Sequence, residues 1–574
     1  MKTVLFGAAL ALLASPVASA EVTTSSVATS SAAPTLFSTT PIETSFEEPS
    51  PWRTGFLLLS TARYQYDNGD RTQLTAINPN TGVLELDTRY DPTGENFYDL
   101  TTTIGGEVGY GPMQLAMRFD TALYFNEPVA HPDAVPRIAE NLEQRYNNVY
   151  NLDYISASYS DRNVDLTLGD FYITLGRGLL LAIRKVGDVG VDNKLRGANG
   201  KVRLGDLSLN AFGGFVNLKN FEQGQGFNYD NGNDLIVGGR AEYGFGKYLK
   251  IGGHGVLMRN QDDRPRQAEI RGVGATVELP RPVKWAKLYA EAVFMERDIK
   301  DPGQPVDTTD TFAAYMSANV FAGPVTVLFE GKHYDNLPLV VPDLVAQSDS
   351  ATINSRQIIN LYIAQPTAER PQLILLTNQT VTGGRVRVDY RVNDGVVPFI
   401  AAGRYHDETA VRVAGDGSAA TDATAVYGGG TFRWEGGTAT GNAGYRGQFG
   451  GLERVDIHLF ADAEQHLWDD NAAELYVNVL KARQDNEDWY EGRVAASFKA
   501  GRTWGATLAY EFYTRTPGLF REHYFSVAGN WQFSERGLVR ALVGGERAGL
   551  KCTGGVCRFF PGFEGARIEL DLRY

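Results

Sequence analysis

Residues 566–574 read Ala566-Arg567-Ile568-Glu569-Leu570-Asp571-Leu572-Arg573-Tyr574, and this stretch decides the fold. Successive side chains of a strand point to opposite faces of a sheet, so residues two apart share a face. One face of this strand is then wholly apolar, whereas the other carries Arg567, Glu569, Asp571 and Arg573. Two such faces require two different solvents. The stretch therefore predicts a strand of a transmembrane β-barrel, with its charged side chains facing the lumen.

The chain ends on an aromatic residue, Tyr574. This ending resembles the closing strands of bacterial outer-membrane barrels, where such a tail is similar to the signal that the assembly machinery reads. The resemblance implies an integral protein of the bacterial outer membrane. Its expected partners are outer-membrane lipid and the outer-membrane assembly machinery.

The amino terminus predicts export. Lys2 precedes the apolar run Val4–Leu13, and Ala18-Ser19-Ala20 forms a small-residue cleavage site, so residues 1–20 are predicted to be a signal peptide. Residues 21–50 are rich in Ser, Thr, Ala and Pro and are expected to form a flexible periplasmic lead. No later run of about 18 apolar residues suggests a membrane helix, so the remaining residues 51–574 are predicted to enter the membrane as a closed barrel.

Alternation of polar and apolar residues recurs along the chain. Repeated over segments of roughly 10 residues, it is the signature of transmembrane barrels. Apolar side chains in residues 455–464 alternate with polar ones, which predicts four more charged residues that face the lumen: Asp456, His458, Asp462 and Glu464.

Short and long connections also alternate, as periplasmic turns and extracellular loops do. The sequence predicts an all-β antiparallel barrel of about 24 strands, within a range of roughly 22 to 26 around the ambiguous residues 355–382. The predicted tight turns are Gly111-Pro112, Ser160–Asn163, Gly205-Asp206, Phe245-Gly246, Pro280–Pro282, Asn393-Asp394, Gly436-Gly437 and Ser534–Arg536. The predicted long loops are 67–95, 127–148, 218–233, 298–309, 335–382, 407–421 and 548–562.

Composition excludes one class of partner. The formal net charge is −14, which argues against nucleic acid because phosphate binding requires basic patches. This charge does not determine the selectivity of the lumen, since much of it is free to lie in the loops. The two cysteines, Cys552 and Cys557, bracket Thr-Gly-Gly-Val, and export predicts that they form a disulfide. A metal pair is the weaker alternative, because no His or further Cys lies nearby in the sequence.

One segment departs from the simple strand pattern. Gly169-Asp170-Phe171-Tyr172 is followed by the apolar and basic run 176–185 and then by Gly190-Val191-Asp192-Asn193-Lys194-Leu195-Arg196-Gly197. This segment resembles an uncharacterised family of bacterial outer-membrane barrels that share a GDFY…GxGL…G(V/I)DNxLRG signature. The resemblance implies the porin-like barrel architecture and brings no established activity.

The same segment would form the third extracellular connection, and it is too apolar to lie freely in water. One interpretation is a loop folded into the bore, where charged side chains narrow the passage and set its charge preference. The other is that Leu179–Ile183 continues a strand or packs on the rim, with Arg196 paired to Asp170 or Asp192. The candidate constriction residues are Arg177, Arg184, Lys185, Asp192 and Arg196.

Catalytic and metal-binding patterns are weak. None of the seven histidines lies in a recognisable nucleophile or metal motif. His406-Asp407 is interpreted as a solvated pair at the rim. The turns 67–70 and 230–234 carry oxygen ligands that suit calcium, but they are more typical of polar turns. No cofactor, metal or catalysis is expected.

The sequence therefore favours an outer-membrane channel of porin type that passes solutes passively. Two other classes stay open. One is an export or secretion barrel, for example for a surface polymer, that works with a periplasmic partner. The other is a surface receptor or adhesion barrel in which loops 67–95 and 335–382 carry the function. The longest loop, 335–382, is expected to project above the barrel or return into it, or else to form one more transmembrane hairpin.

Overall fold

The computed structural model describes the barrel and parts of its connections. The predicted signal peptide, the lead, the two calcium-like turns except for Asp234, and most of loops 67–95 and 335–382 lie outside the described residues. The described residues are 52–66, 75–77, 84–86, 96–126, 146–186, 191–218, 221–222, 226–227, 234–259, 267–300, 303, 305–337, 380–408, 421–450, 453–484, 487–515, 523–547, 549–553, 556–560 and 563–574. Within them, no helix is long and apolar enough to cross a membrane.

The chain forms a closed antiparallel barrel of 24 strands, which confirms the predicted fold class. Sequence neighbours pair throughout, and the last strand pairs with the first. The strands are β1 (Trp52–Gln65), β2 (Phe97–Tyr110), β3 (Met113–Phe125), β4 (Val149–Ser160), β5 (Val164–Phe171), β6 (Val191–Leu204), β7 (Leu207–Leu218), β8 (Leu235–Phe245), β9 (Leu249–Arg259), β10 (Gln267–Val283), β11 (Ala286–Lys300), β12 (Asp307–Ala322), β13 (Val325–Asp335), β14 (Val381–Tyr390), β15 (Val396–Asp407), β16 (Thr421–Trp434), β17 (Gly437–Gly450), β18 (Arg454–His466), β19 (Asn471–Gln484), β20 (Glu487–Ala500), β21 (Trp504–Tyr513), β22 (His523–Ser534), β23 (Gly537–Glu546) and β24 (Phe563–Arg573).

Short turns and long connections separate to opposite ends of the barrel. The turns at the end that holds Trp52 and Tyr574 are two to five residues long. Strands β13 and β14 pair directly with each other along Val325–Tyr334, and the predicted extra hairpin at 355–382 falls mostly outside the described residues. One predicted turn is wrong: Pro280–Pro282 lie inside β10, and the chain reverses after Val283. Proline lacks a backbone N–H, and the β10–β11 register accordingly shifts between Leu279 and Val283.

Local chemistry explains the tight turns. Gly111 and Gly205 adopt φ values of +54° and +61°, which residues with a Cβ rarely reach. The turn after β4 instead uses Asp161, whose carboxylate accepts the backbone N–H groups of Asn163 and Val164 at 2.7 and 2.8 Å. These hydrogen bonds hold the pKa of Asp161 below its usual value.

The two faces of the sheet differ as the alternation predicts. Apolar side chains such as Leu508, Phe525 and Val543 are exposed on the outer face, whereas the alternate side chains point into the barrel. Tryptophans gather near the short-turn end, as an interfacial belt requires. These are Trp52, Trp285, Trp434, Trp468, Trp504 and Trp531.

The inner wall is not uniformly polar. From β6 to β16 its extracellular half presents large apolar side chains, and these form one buried cluster with the connection between β5 and β6. From β17 through β24 the inner wall carries charged pairs. The lumen is therefore lined by both charged and apolar side chains, and the apolar sector marks the place where the connection between β5 and β6 covers the wall.

The lipid-facing assignment predicts the response to a buried charge. Val543 faces outward near the middle of β23, and Val543→Arg should lower the free energy of unfolding in lipid vesicles by about 2–4 kcal/mol. Ala528→Arg places the same side chain on the inner face of the neighbouring strand β22 and should cost far less. Urea titrations of both variants measure the difference, and equal destabilisation would contradict the assignment of the faces.

Candidate functional site: a hairpin inside the bore

The connection between β5 and β6 is a small hairpin. Its two arms are Ile173–Leu175 and Leu181–Ile183, and Lys185–Val186 then pairs with the start of β6. Gly176 and Gly178 at its tip have φ values of +56° and +96°. The Gly178 N–H donates to the Leu175 carbonyl at 2.9 Å. We refer to residues 173–183 as the bore hairpin.

Apolar packing holds the bore hairpin against the inner wall. Leu175, Leu179, Leu180, Leu181 and Ile183 are fully buried. Burial of such a side chain is worth about 1.5–3 kcal/mol, so the packing term is large. The residues that pack around the hairpin come from strands β7 to β12. They include Phe212, Val216, Ile236, Val256, Met258, Ile270, Val293, Met295 and Tyr315.

The tip reaches deep into the bore. The backbone N–H of Arg177 donates to Glu291 Oε2 at 2.7 Å, and the Tyr289 hydroxyl donates to the same oxygen at 2.7 Å. Glu291 is the sixth of the 15 residues of β11 counted from the periplasmic turn, so the contact lies below mid-height. A Cβ at Gly176 would press against the Glu291 carboxylate, and the positive φ of Gly176 also favours glycine at this position.

Arg177 is the charge that the hairpin presents to the bore. Its side chain is exposed, and its guanidinium lies 4.3 Å from the ring centroid of Tyr289 and 5.7 Å from that of Tyr315. A cation over an aromatic face is held without losing its access to water. The tip therefore places one oriented and exposed positive charge beside the inner wall, below mid-height of the barrel.

A buried ion network fixes the root of the hairpin. Arg118, Asp153, Asp192 and Lys194 are all buried, with Arg118 Nε 2.6 Å from Asp153 and Lys194 Nζ 2.8 Å from the same carboxylate. Asp192 lies 3.5 Å from Lys194 and accepts the Tyr172 hydroxyl at 2.7 Å. Two cations balance two anions here, which is the condition for burying them.

A β-bulge supplies one member of this network. The β3–β4 register shifts between Arg118 and Phe119, so β4 has one extra residue at this place. Asp153 and Tyr154 are consequently both buried, although they are adjacent in a strand. Bulges commonly redirect a side chain in this way.

Side chains also close the wall where β5 leaves it. The β4–β5 pairing covers only Ser156–Ser160, so the rest of β4 lacks a backbone partner on that side. Asp170 accepts the Ile155 N–H at 2.8 Å, and Arg196 donates to the Leu152 carbonyl at 3.1 Å. Asn217 donates to the Asp153 carbonyl at 3.0 Å, and Arg196 lies 2.8 Å from Asp170. Asp170 and Arg196 from the sequence signature, together with Asn217 from β7, thus bind backbone groups of β4 that have no strand partner on this side.

A sequence-family model matches this chain. A family model described as a family of unknown function, DUF6029, matches residues 133–354 and 446–574, which is more than half of the chain. The chain belongs to the DUF6029 family. The first matched region contains β4 to β6, the bore hairpin and the members Asp153, Asp192 and Lys194 of its ion network, but not Arg118. No curated protein is similar in sequence to this chain.

Several solved barrels are similar to the DUF6029 chain in fold. The siderophore receptor PirA from Pseudomonas aeruginosa is 9% identical with a TM-score of 0.46, over 92% of this chain and 81% of that one. The P pilus usher PapC translocation pore is 10% identical with a TM-score of 0.40, over 91% and 99%. The outer membrane protein OpdK from P. aeruginosa is 11% identical with a TM-score of 0.38, over 80% and 98%. Similarities at this level say nothing about what the DUF6029 barrel carries.

The structure separates the five candidate constriction residues. Arg177 is at the tip, whereas Asp192 and Arg196 belong to the root and the wall. Arg184 is half-buried behind the hairpin, and Lys185 lies 3.8 Å from Asp192 with its head partly exposed. That these residues constrict the passage stays a prediction. The pairing of Arg196 with Asp170, expected for the alternative interpretation, exists together with the insertion into the bore.

The predicted lumen charges lie on the inner face of β18 and β24 in this DUF6029 barrel. Asp456 is buried between Arg446 and Arg454. His458 Nε2 lies 2.9 Å from Asn442 Oδ1, so this contact is a hydrogen bond and not an ion pair. Asp462 lies near Glu464, Glu474 and Lys499. On β24, Arg573 lies 2.7 Å from Asp571, and Arg567 lies 3.2 Å from Glu569.

The pair His406-Asp407 is split by the strand. His406 points outward and lies 3.0 Å from Asp422, whereas Asp407 is buried on the inner face. Within the described residues, no group of three or more His, Cys, Asp or Glu side chains is placed to hold a metal ion.

Sequence reasoning missed Arg118, Asp153 and Glu291. Glu291 is separated from Arg177 by 114 residues, so no local pattern connects them. Asp153 interrupts an alternating strand, and this break in period was the one available signal of a bulge.

The ion network predicts a sharp difference between two lysines. Lys194→Met leaves Asp153 and Asp192 short of a buried cation and should cost about 3–5 kcal/mol of unfolding free energy. Lys185→Met removes a partly exposed lysine 3.8 Å from Asp192 and should cost less than about 1 kcal/mol. Urea titration gives both values, and trypsin cleavage at Arg177 should appear in the first variant alone. Similar losses in the two variants would refute the anchoring role.

The cysteine pair gives a covalent test. The short hairpin Gly549–Thr553 and Val556–Phe560 has Cys552 and Cys557 as directly opposite residues, while their side chains lie outside the described set. Opposite positions suit the Cα spacing of a disulfide. The protein should resist alkylation until it is reduced and then take up two labels, read by mass spectrometry. Two labels without reduction would show free thiols.

Proposed function

We propose that this protein is an outer-membrane channel of porin type, in which polar solutes cross passively through a bore narrowed by the bore hairpin. The observation that carries the proposal is the exposure of inward-facing cations. Lys250, Arg493, Lys499 and Arg540 point into the barrel, yet about two fifths of each side chain is exposed. The bore therefore contains water beside these charges.

The division of the inner wall supports the same proposal. The bore hairpin covers the apolar sector between β6 and β16 and leaves the charged sector from β17 to β24 facing the water. A solute that follows the open side meets ion pairs rather than hydrocarbon. This arrangement suits polar solutes, as pore-lining charges do in other channels.

The rival classes receive less support. A periplasmic partner of an export barrel would find turns of only two to five residues between the described strands. The loops that a surface receptor or adhesion barrel would use lie mostly outside the described residues. The channel proposal alone draws on the described geometry.

The test is single-channel recording in planar bilayers. The purified protein should conduct ions, and replacement of Ile173–Ile183 by a short Gly-Ser linker should raise the single-channel conductance because the bore widens. Removal of Gly549–Phe560, a separate hairpin outside the barrel sheet, is the matched control and should leave the conductance unchanged. A barrel that stays sealed in every reconstitution would reject the proposal.

A further inference from the structure

The inward-facing ion pairs share a radial order, in which the anion lies toward the wall and the cation toward the axis of the bore. In most of these pairs the cation is more exposed than its anion: 28% against 0% for Arg454 and Asp456, 40% against 16% for Arg493 and Glu511, and 36% against 22% for Arg540 and Glu569. The same order holds for Arg63–Asp99, Lys250–Glu242, Arg387–Asp389, Lys499–Glu474, Arg547–Glu491, Arg567–Glu546 and Arg573–Asp571.

Side-chain length explains the order. Asp and Glu are short, so on a concave wall their carboxylates stay close to the backbone. Arg and Lys extend further along their alkyl stems and place their charged heads in the water. Each pair is neutral as a whole but points its positive end toward the axis of the bore.

The bore hairpin repeats this arrangement. Glu291 is buried behind the tip and accepts the Arg177 N–H, whereas the Arg177 guanidinium is exposed. The anion again lies toward the wall and the cation toward the open space. Wall and hairpin therefore present the same sign of charge to a solute.

Among the described residues, the order fails at the extracellular end of β20 and in the buried network at the root of the bore hairpin, where Lys194 is less exposed than Asp153 and Asp192. Glu487 is more exposed than Arg515 at the extracellular end of β20. Near the periplasmic end, Lys499 keeps the order, but Asp462, Glu464 and Glu474 outnumber it. The middle of the bore keeps the positive surface.

We propose that the bore prefers anions, and that its solutes are small organic acids bearing carboxylate or phosphate groups. The inference rests on the proposed channel and names its solute class. It opposes the sign of the formal net charge of −14, because the charge that a solute meets is set by the exposed heads and not by the total. Exposed guanidinium and ammonium groups are the donors that carboxylate and phosphate bind.

The experiment is the reversal potential in a KCl gradient across a planar bilayer. At about 0.1 M salt, where the Debye length is about 10 Å, the permeability ratio of chloride to potassium should be about three or higher. The preference should weaken in about 1 M salt because the charges are screened. Preference for potassium at low salt would overturn the proposal, whereas absence of any conductance would reject the channel itself.

Matched variants connect the preference to the exposed heads. The triple variant Arg454→Gln, Arg493→Gln, Arg540→Gln should bring the permeability ratio of chloride to potassium close to one. Arg259→Gln with Arg271→Gln alters two arginines on the outer face, each 59% exposed, and should leave the ratio unchanged. Equal effects of the two variants would overturn the proposal, as would an unchanged ratio in the triple variant.

A reversal-potential measurement with an organic acid completes the test. With potassium succinate in place of KCl, the reversal potential should keep the sign of an anion-preferring pore, and the triple variant should lose it. A current carried by potassium alone would limit the bore to small inorganic ions and overturn the assignment to organic acids.

Discussion

A sheet in lipid must satisfy every backbone N–H and C=O within itself, and this constraint governs the whole barrel. The pairing of β1 with β24 removes the free edges that an open sheet would expose. Where β5 leaves the wall early, the edge of β4 would be open as well. The side chains of Asp170, Arg196 and Asn217 satisfy the backbone groups at this edge. This explains why three polar residues occur together on the neighbouring strands β5, β6 and β7.

The departure of β5 also creates the site. The chain that leaves the wall enters the bore, so the same residues that close the wall anchor the hairpin. Asp192 and Lys194 belong to the start of β6, and they join Arg118 and Asp153 in the buried network. The departure of the chain from the wall after β5 and the anchoring of the hairpin in the bore therefore depend on the same residues. The apolar inner wall of β7 to β12 supplies the surface that receives it.

Local patterns were sufficient to predict the fold. Period-two alternation, turn residues and connection lengths are short-range signals, and they predicted the barrel, its strand number and the inner face of β24. The features that local patterns did not predict depend on long-range contacts or interrupt the period-two alternation. Pro280–Pro282 was predicted to be a turn because proline is common there, but β10 accommodates it with a register shift. The depth of the bore hairpin depends on Glu291, which no pattern connects to Arg177.

The proposed narrowing of the bore requires the bore hairpin to lie against the inner wall, and disulfide trapping tests this position directly. A Cβ at position 272 would lie 3.5 Å from Leu180 Cγ, so Leu180→Cys and Gly272→Cys are close enough to join. In a background that lacks Cys552 and Cys557, mild oxidation should join the two new cysteines, as peptide mapping by mass spectrometry would show. Two free thiols after oxidation of the folded barrel would show that the hairpin lies elsewhere.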